Sequence, residues 1–345
     1  MNVVFFVINY MPHQIVSMTT LIKEYHINVH SVASKDNTIP PPDTDKFKSY
    51  KLKDFTRASL LEFVEGINPA IMVVAGWAVK DFVWVSKRVK VKLNIPVVSY
   101  SDTQWQGSWK QRINGLISKW HHRQAFSHLW VAGIYQYEYA RKLGFSKNNI
   151  IYNSLSCDLE LFQNCSTVHK HNDYPKNFLF IGRFVEEKGL SFLLEAWSQI
   201  LNKNGWTLTL IGDGHLKDQF KHKEGLVVKD FMSQESLIRE IEGSGCFILP
   251  SIFEPWALVI HEAAAAGLPL IATNVCGAAA HFIISGFNGY QTSPSVEEIK
   301  LAMEKIIASN SEQLLTFSAN SRRLARTITP ELGAGQLMSV LNGRQ

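Results

Sequence analysis

The sequence lacks any uninterrupted apolar stretch of about 18 residues, the length that a membrane-spanning helix requires. Its four cysteines, Cys157, Cys165, Cys246 and Cys276, have neither the spacing of metal ligands nor that of a disulfide framework. The opening segment, residues 1–10, lacks the basic start and the small-residue cleavage site of a signal peptide, and it is typical of a first β-strand. These absences predict a cytoplasmic protein.

Charged residues are also sparse, at 19% of the chain, and the net charge of +5 is mild. A small positive excess favours an acidic ligand or an anionic membrane surface, but the basic residues are too dispersed to predict nucleic-acid binding. The hydrophobic content of 46% is that of a globular protein. Because 345 residues exceed what one hydrophobic core usually holds, we expect two domains.

Apolar runs of strand length alternate with helical segments along both halves of the chain, a pattern typical of parallel sheets covered by helices. A polar segment, residues 164–177, separates the two series. We therefore predict an α/β fold with two Rossmann-like domains, residues 1–163 and 178–326, joined by a linker at 164–177. Their parallel sheets would face a central cleft, with ligands near the carboxyl ends of the strands. The tail, residues 327–345, is expected to pack back on the first domain.

The most informative motif runs from Pro250 to Glu262 and predicts a strand, a tight loop and then a helix. Pro255 suits a helix start, and the N–H groups of Trp256, Ala257 and Leu258 would point out of the helix N-terminus, where an anion binds well. Glu254 and Glu262 add two carboxylates that can accept hydrogen bonds from hydroxyls. A sugar nucleotide has this mixture of groups. The alternative is that Glu254 is an ordinary first-turn acid and Glu262 an exposed helix residue.

Two glycine-containing loops follow predicted strands in the same half. Gly182 permits close backbone approach, and Arg183 and Lys188 could clamp a diphosphate from one side. Alternatively, both are surface cations paired with neighbouring glutamates. Gly212 and Gly214 flank Asp213, which is typical of a helix cap in a tight turn. The two glycines would leave room for a nucleotide.

The first half carries one polar and aromatic segment at the end of a predicted strand. Asp102 would face the cleft, and Trp105, Trp109, Lys110 and Arg112 follow it. Aromatic side chains interleaved with cations can stack on sugars, bind phosphates or touch a membrane interface. The alternative is an amphipathic helix with core tryptophans and a solvated basic face.

Taken together, Gly182-Arg183, Glu187-Lys188-Gly189, Gly212-Asp213-Gly214 and the run from Pro250 to Glu262 resemble the retaining glycosyltransferases of family 4, which have the GT-B architecture. The resemblance spans roughly residues 178–290. It implies that Arg183 and Lys188 bind the donor diphosphate, that Glu262 holds the ribose hydroxyls and that Glu254 contacts the transferred sugar. It places Gly182, Gly212 and the backbone of residues 256–258 around the donor, and Asp230 and Phe231 near the base. It also places Asp102 close to the reacting carbon. No metal ion and no other cofactor is implied.

Two of the departures from the family pattern bear directly on the predicted site. Tyr10-Met11-Pro12-His13 stands where a glycine-rich loop is common, and Ala257 stands where glycine is usual, so its methyl group would narrow the sugar site.

We therefore expect an enzyme that moves a hexose-type sugar, with retention, from a UDP- or GDP-sugar to a glycan or glycolipid acceptor. The segment containing Trp105, Trp109, Lys110 and Arg112 is the candidate acceptor site. By analogy, the acceptor would be carried on a lipid in bacterial surface polysaccharide assembly, with the enzyme peripheral on the cytoplasmic face of the inner membrane. The alternatives are a non-catalytic nucleotide-sugar-binding subunit of the same fold, or another nucleotide-sugar enzyme such as an epimerase.

Overall fold

The computed structural model describes residues 1–36, 39–220 and 225–342, and the chain divides into two compact units. The first unit holds Met1–Ser156 together with the C-terminal segment from Thr329, and the second holds Cys157–Ile328.

Each unit is built on a parallel sheet. Within the described residues, the first sheet has seven strands in the order β3-β2-β1-β4-β5-β6-β7, and the second has six in the order β10-β9-β8-β11-β12-β13. The strands are β1 (Asn2–Val7), β2 (Asn28–Ala33), β3 (Phe47–Lys51), β4 (Ile71–Ala75), β5 (Val97–Ser101), β6 (His128–Val131), β7 (Ile150–Ile151), β8 (Asn177–Ile181), β9 (Thr207–Ile211), β10 (Leu226–Lys229), β11 (Cys246–Leu249), β12 (Leu270–Thr273) and β13 (Gly289–Thr292).

Helices connect most of the successive strands, as is usual for parallel pairing, and three more follow the last strand. They are α1 (Pro12–Tyr25), α2 (Arg57–Ile67), α3 (Lys80–Lys92), α4 (Trp109–Ile117), α5 (His122–Ala125), α6 (Ile134–Lys142), α7 (Leu159–Gln163), α8 (Leu190–Gln199), α9 (Gln234–Glu242), α10 (Leu258–Ala265), α11 (Ala279–Phe282), α12 (Val296–Ala308), α13 (Ser311–Ala325) and α14 (Pro330–Asn342). The predicted class, two α/β units with parallel sheets, is confirmed.

Strand β1 shows why the sheets are covered on both faces. Val4 and Phe6 belong to the core cluster on one face, and Val3, Phe5 and Val7 belong to the cluster on the other. Since side chains alternate between the faces of a strand, a continuous apolar run must be buried on both sides. The two clusters are consistent with β1 as an interior strand, between β2 and β4.

Each sheet also has a point where the strand order reverses. In the first sheet it lies between β1 and β4, and in the second between β8 and β11. The loops that leave the carboxyl ends of these strands diverge, which opens a crevice where ligands bind in sheets of this kind. Both candidate sites described below lie at these two points.

The first unit ends at Ser156, before the predicted boundary at residue 163. The reason is packing: the backbone N–H of Cys157 donates to Nδ1 of His261 at 3.2 Å, and α7 packs against α10. Residues 157–163 therefore belong with the second unit.

The predicted linker, residues 164–177, is also part of the second unit. Its polar composition suggested an exposed connection, but two of its polar side chains are buried and bonded to backbone. Lys170 donates from Nζ to the carbonyl of Ser244 at 2.7 Å, and the Tyr174 hydroxyl donates to the carbonyl of Gly245 at 2.8 Å.

The C-terminal segment returns to the first unit. Helix α14 packs against α1, and Leu337 and Val340 join the core cluster beneath it. Residues 343–345 of the predicted tail lie outside the described residues.

Candidate active site

Two loops meet where the strand order of the second sheet reverses. The loop after β8 carries Gly182, Arg183 and the short 3-10 turn Glu186–Lys188, and the loop after β11 carries Glu254. The backbone N–H of Ile252 donates to the carbonyl of Glu187 at 2.9 Å, which fastens one loop to the other. The Lys188 ammonium donates to the Glu254 carboxylate, and both side chains are mostly buried.

Gly212, at the end of β9, allows a third loop to reach the first. Its backbone lies at φ +152°, and a Cβ there would fall 1.9 Å from the carbonyl oxygen of Gly182. No side chain fits in that space, so glycine is required for the two loops to touch. Gly182 itself lies beneath the Lys188 side chain, with 3.7 Å between a Cβ placed on Gly182 and Lys188 Cε.

Arg183 is the exposed cation of this site. Within the part of the chain that the structure describes, its side chain has no hydrogen bond or ion pair. The neighbouring Glu186 instead contacts His215, with 3.0 Å between Glu186 Oε1 and His215 Nε2. The pairing of Arg183 and Lys188 with neighbouring glutamates, the alternative considered from the sequence, is not what is observed. Arg183 therefore presents an unpaired guanidinium beside the buried Lys188–Glu254 pair.

Helix α10 begins at Leu258, three residues after Pro255, so the predicted helix start at Pro255 is wrong. The turn that replaces it ends at Ala257, whose backbone is left-handed, at φ +75° and ψ +71°. The other described non-glycine residues with positive φ are a histidine and asparagines, which tolerate this region better: His26, Asn68, Asn94, Asn153 and Asn204. Ala257 therefore holds a strained conformation at the mouth of the site.

Trp256 and His261 have their side chains turned into the protein. The Trp256 ring is 3% exposed and lies 5.3 Å from the ring of His281. His261 is fully buried, accepts from Cys157 N–H at Nδ1 and is 2.9 Å from the carbonyl of Ala325 at Nε2. Burial lowers the pKa of His261 to about 4, so it is neutral and serves as a structural link. Of Trp256, only the backbone can reach a ligand.

Glu262 is buried, so the interpretation of this residue as an exposed helix glutamate is wrong. Burial raises the pKa of its carboxyl to about 7, and a hydrogen bond from Gln234 Nε2 to Glu262 Oε1, 3.0 Å long, partly opposes that shift. A carboxyl with a shifted pKa that keeps few protein partners is a candidate for ligand binding. Gln234, on α9, was not found from the sequence, because nothing in its local pattern connects it to α10.

The loop after β10 holds Asp230 and Phe231. Lys217 pairs with Asp230 and lies 3.6 Å from Asp213, so the loops after β9 and β10 share one cation. The Phe231 ring is 78% exposed, which makes it available for stacking on a planar group.

A second candidate site lies entirely within the first unit, where its strand order reverses. A cavity of about 430 Å³ opens at the carboxyl ends of β1, β4 and β5, within the size range of small-molecule sites. Asn9, Gly76 and Asp102 follow those three strands and line it. Burial raises the pKa of the Asp102 carboxyl above its usual value. Asp102 lies at such an edge, as the sequence predicts.

Three further lining residues of this cavity were not predicted as site residues: His13, Gln14 and Tyr100. The Gln14 amide donates to the Tyr100 hydroxyl, and burial lowers the pKa of His13 to about 4, so its ring is neutral. No glycine lies between β1 and α1, so the sequence shows no glycine-rich binding loop there. His13 and Gln14 lie in the first turn of α1, the helix that follows β1, and that position is the signal that could have found them.

The four residues predicted to bind an acceptor do not line this cavity. Trp105 packs against the core and stacks on Tyr139, with 6.0 Å between ring centroids. Trp109, Lys110 and Arg112 are exposed on α4. The alternative interpretation, core tryptophans beside a solvated basic face, therefore describes Trp105 and does not describe Trp109.

Among the residues that the structure describes, no three His, Cys, Asp or Glu side chains form a group that could hold a metal ion. An Asp-x-Asp triplet, Asp43-Thr44-Asp45, lies exposed in the loop before β3. In the same described ranges, no helix is both long and apolar enough to span a bilayer.

The two parallel-sheet units, each with a crevice at its reversal point, define the GT-B fold, and solved structures share it along nearly the whole chain. HepE from Anabaena, crystallised with UDP, superposes with a TM-score of 0.76 at 16% identity, covering 99% of this chain and 100% of HepE. WaaG, described as a glycosyltransferase involved in lipopolysaccharide biosynthesis, gives 0.69 at 13% identity, covering 99% and 100%. At these identities the likeness shows the fold.

Residues 163–324 match the family model of the glycosyl transferases group 1, so the second unit is related to that family. Over 146 residues the chain is 29% identical to an uncharacterized glycosyltransferase, MJ1607, from Methanocaldococcus jannaschii. This match covers 38% of the chain and 37% of the relative. Over 152 residues it is 33% identical to an uncharacterized 41.2 kDa protein in the cps region of Klebsiella pneumoniae, covering 41% of each. The matches thus span about two fifths of these relatives.

Proposed function

We propose that this protein is a retaining, metal-independent glycosyltransferase of family 4 that moves a hexose-type sugar from a UDP- or GDP-sugar to a sugar acceptor. The observation that carries the proposal is the meeting of Arg183, Lys188 and Glu254 where the second sheet reverses its strand order. A diphosphate needs fixed positive charge, and a sugar needs a carboxylate that can accept from its hydroxyls.

The donor would lie across the second unit from Arg183 to Glu262. In this proposal Arg183 and Lys188 hold the diphosphate, Glu254 accepts from hydroxyls of the sugar, and Glu262 accepts from the ribose hydroxyls. Phe231, exposed beside Asp230, would stack on the base. Two similar structures, HepE with UDP and HepE with UDP-glucose, support a uridine nucleotide as the first donor to test.

The chemistry follows from where charge develops. As the bond between the sugar and the diphosphate breaks, negative charge grows on the leaving phosphate oxygen, and preplaced cations stabilise it without a metal ion. The acceptor hydroxyl forms the new bond on the same face of the sugar, and its proton passes to the departing phosphate oxygen. In this scheme Arg183 and Lys188 carry most of the stabilisation.

The acceptor would use the cavity of the first unit. That cavity offers the Asp102 carboxyl and the neutral His13 ring beside Tyr100, which suits hydroxyl groups of a glycan. We place the acceptor on a lipid carrier in bacterial surface polysaccharide assembly, with the enzyme peripheral on the cytoplasmic face of the membrane. A relative in the cps region of Klebsiella pneumoniae and the fold shared with WaaG support this choice.

A panel of UDP- and GDP-sugars tests the proposal. One donor should raise the melting temperature and should slowly release its nucleotide without an acceptor, equally in EDTA. Arg183→Met should fold normally, because Arg183 has no partner in the described residues, and should lower turnover at least about 100-fold. The matched control is Arg323→Met, an exposed arginine on α13, which should behave as wild type.

Two results would contradict the proposal. If no nucleotide sugar shifts the melting temperature, the donor assignment fails. If a donor binds but Arg183→Met turns over as fast as wild type, the diphosphate does not lie where we place it.

A further inference from the structure

Helix α4 and the turn after it expose five apolar side chains. Their exposed fractions are 67% for Trp109, 44% for Ile113, 77% for Leu116, 43% for Ile117 and 63% for Trp120. Positions 109, 113, 116 and 120 share one side of a helix, and 117 lies at its edge. We call these five residues the α4 stripe.

The opposite side of α4 is polar or small and is packed against the protein. The buried Gln111 amide donates to the carbonyl of Gln104 at 2.7 Å and accepts from the N–H of Gln106 at 2.8 Å. Gly115 approaches the carbonyl of Lys142, and Ser118 is fully buried. The helix is therefore inverted relative to an ordinary surface helix, since its apolar side faces outward.

Basic residues border the α4 stripe, and acidic residues are absent from the segment. Lys110 lies at one edge, with Nζ 5.7 Å from the Trp109 ring centroid, and Arg112 and Lys119 lie at the other. Between Asp102 and Glu138 the sequence contains no Asp or Glu. An apolar side with tryptophans and flanking cations is the composition of helices that lie in a membrane interface.

We propose that the α4 stripe is the docking surface for a bilayer containing anionic phospholipids. The apolar side chains enter the boundary between headgroups and acyl chains, and Lys110, Arg112 and Lys119 face the lipid phosphates. A symmetric contact with a second copy fits less well, because it would place the same cations against one another. The proposal deepens the peripheral membrane association proposed above, and it does not depend on the donor site.

Vesicle sedimentation tests this surface. Wild-type protein should sediment with vesicles of phosphatidylglycerol and phosphatidylethanolamine, much less with phosphatidylcholine alone, and less as salt is raised. Leu116→Glu should weaken binding at least about 10-fold. The added carboxylate would resist burial among the acyl chains and would be repelled by the anionic headgroups. The matched control is Leu201→Glu, a fully exposed leucine of the second unit, which should bind as wild type. Lys119→Gln should weaken binding and reduce its salt dependence.

The possible results distinguish a failure of the membrane proposal from a failure of the proposed transferase function. Leu116→Glu should keep the wild-type circular dichroism and any melting shift caused by a nucleotide sugar. Equal vesicle binding by Leu116→Glu and Leu201→Glu, or no binding by wild type, would overturn the membrane assignment. An oligomer that Leu116→Glu dissociates, without vesicle binding, would assign the stripe to a second copy instead.

Discussion

Lys188 and Glu254 form an ion pair between the loop after β8 and the loop after β11. The two side chains are 13% and 15% exposed, so each charge is largely removed from water and is compensated by the other. Removing one member of such a pair leaves an uncompensated charge in a poorly solvated place. The residues that we assign to the donor thus also hold the two loops together.

Single substitutions of this pair should lower stability, and the double substitution should lower it by less than the sum. We expect Lys188→Met and Glu254→Gln each to reduce the free energy of unfolding by about 1–3 kcal/mol. Urea denaturation of the four proteins in a double-mutant cycle measures the coupling. Lys300→Met, which removes a partly exposed pair with Glu304, should cost less than about 1 kcal/mol. Strictly additive losses at Lys188 and Glu254 would contradict an energetically coupled pair.

The buried carboxyl of Glu262 should make stability depend on pH in the acid to neutral range. Its pKa in the folded protein is about 7, against an ordinary value of 4.5, so between these values the folded state holds a proton that the unfolded state has lost. The free energy of unfolding should therefore fall as pH rises from about 4.5 to 7, by up to about 3 kcal/mol, and should level off above 7.

Glu262→Gln should remove this contribution, and the comparison with wild type isolates it. His13 and His261, whose pKa values are lowered to about 4, act in the opposite direction, because they take up protons on unfolding below about pH 6.5. That background is common to both proteins. We would measure the urea midpoint of unfolding for both proteins from pH 5 to 8. The midpoint of Glu262→Gln minus that of wild type should increase up to neutral pH. For Glu312→Gln, which changes an exposed residue, the difference in midpoint from wild type should not vary with pH. The same result for Glu262→Gln would refute the raised pKa of Glu262.

Much of the fold could be predicted because parallel sheets have a strong local signal. Strands such as β1 and β4 are buried on both faces, so they appear in the sequence as continuous apolar runs of strand length. The placement of Arg183 and Lys188 in one loop and the proximity of Asp102 to a strand end followed from the same pattern. These are properties of short segments, which the sequence displays directly.

What the sequence could not reveal depends on contacts between distant segments. The bond between Gln234 and Glu262 joins residues of different helices, and the burial of Lys170 depends on a carbonyl 74 positions away. Neither relationship leaves a local pattern. The stacking of Trp105 on Tyr139 was likewise not predicted, whereas Trp109 is exposed, as its prediction as a binding residue requires.

The same substitution should have opposite effects at two alanines of one segment. Ala257 has φ +75°, where a Cβ costs about 1–2 kcal/mol, so Ala257→Gly relieves more strain than it adds in chain entropy. We expect a free energy of unfolding that is unchanged or up to about 1 kcal/mol higher. Ala263→Gly, in the interior of α10, should lower it by at least about 1 kcal/mol. Thermal and urea denaturation measure both, and a clear loss of stability in Ala257→Gly would contradict the assigned backbone.

Gly212 should tolerate no side chain, because its backbone touches the neighbouring loop. In Gly212→Ala the added Cβ would lie 1.9 Å from the carbonyl oxygen of Gly182, a backbone atom that can move only with the loop bearing Arg183. We expect a loss of about 2–3 kcal/mol or more in the free energy of unfolding, as for overpacking that displaces backbone. Gly66→Ala is the matched comparison, since its Cβ would meet no atom within 4 Å in helix α2, and it should gain about 0.5–1 kcal/mol. If both variants unfolded at the same urea concentration, the close contact between the loops after β8 and β9 would not exist in solution.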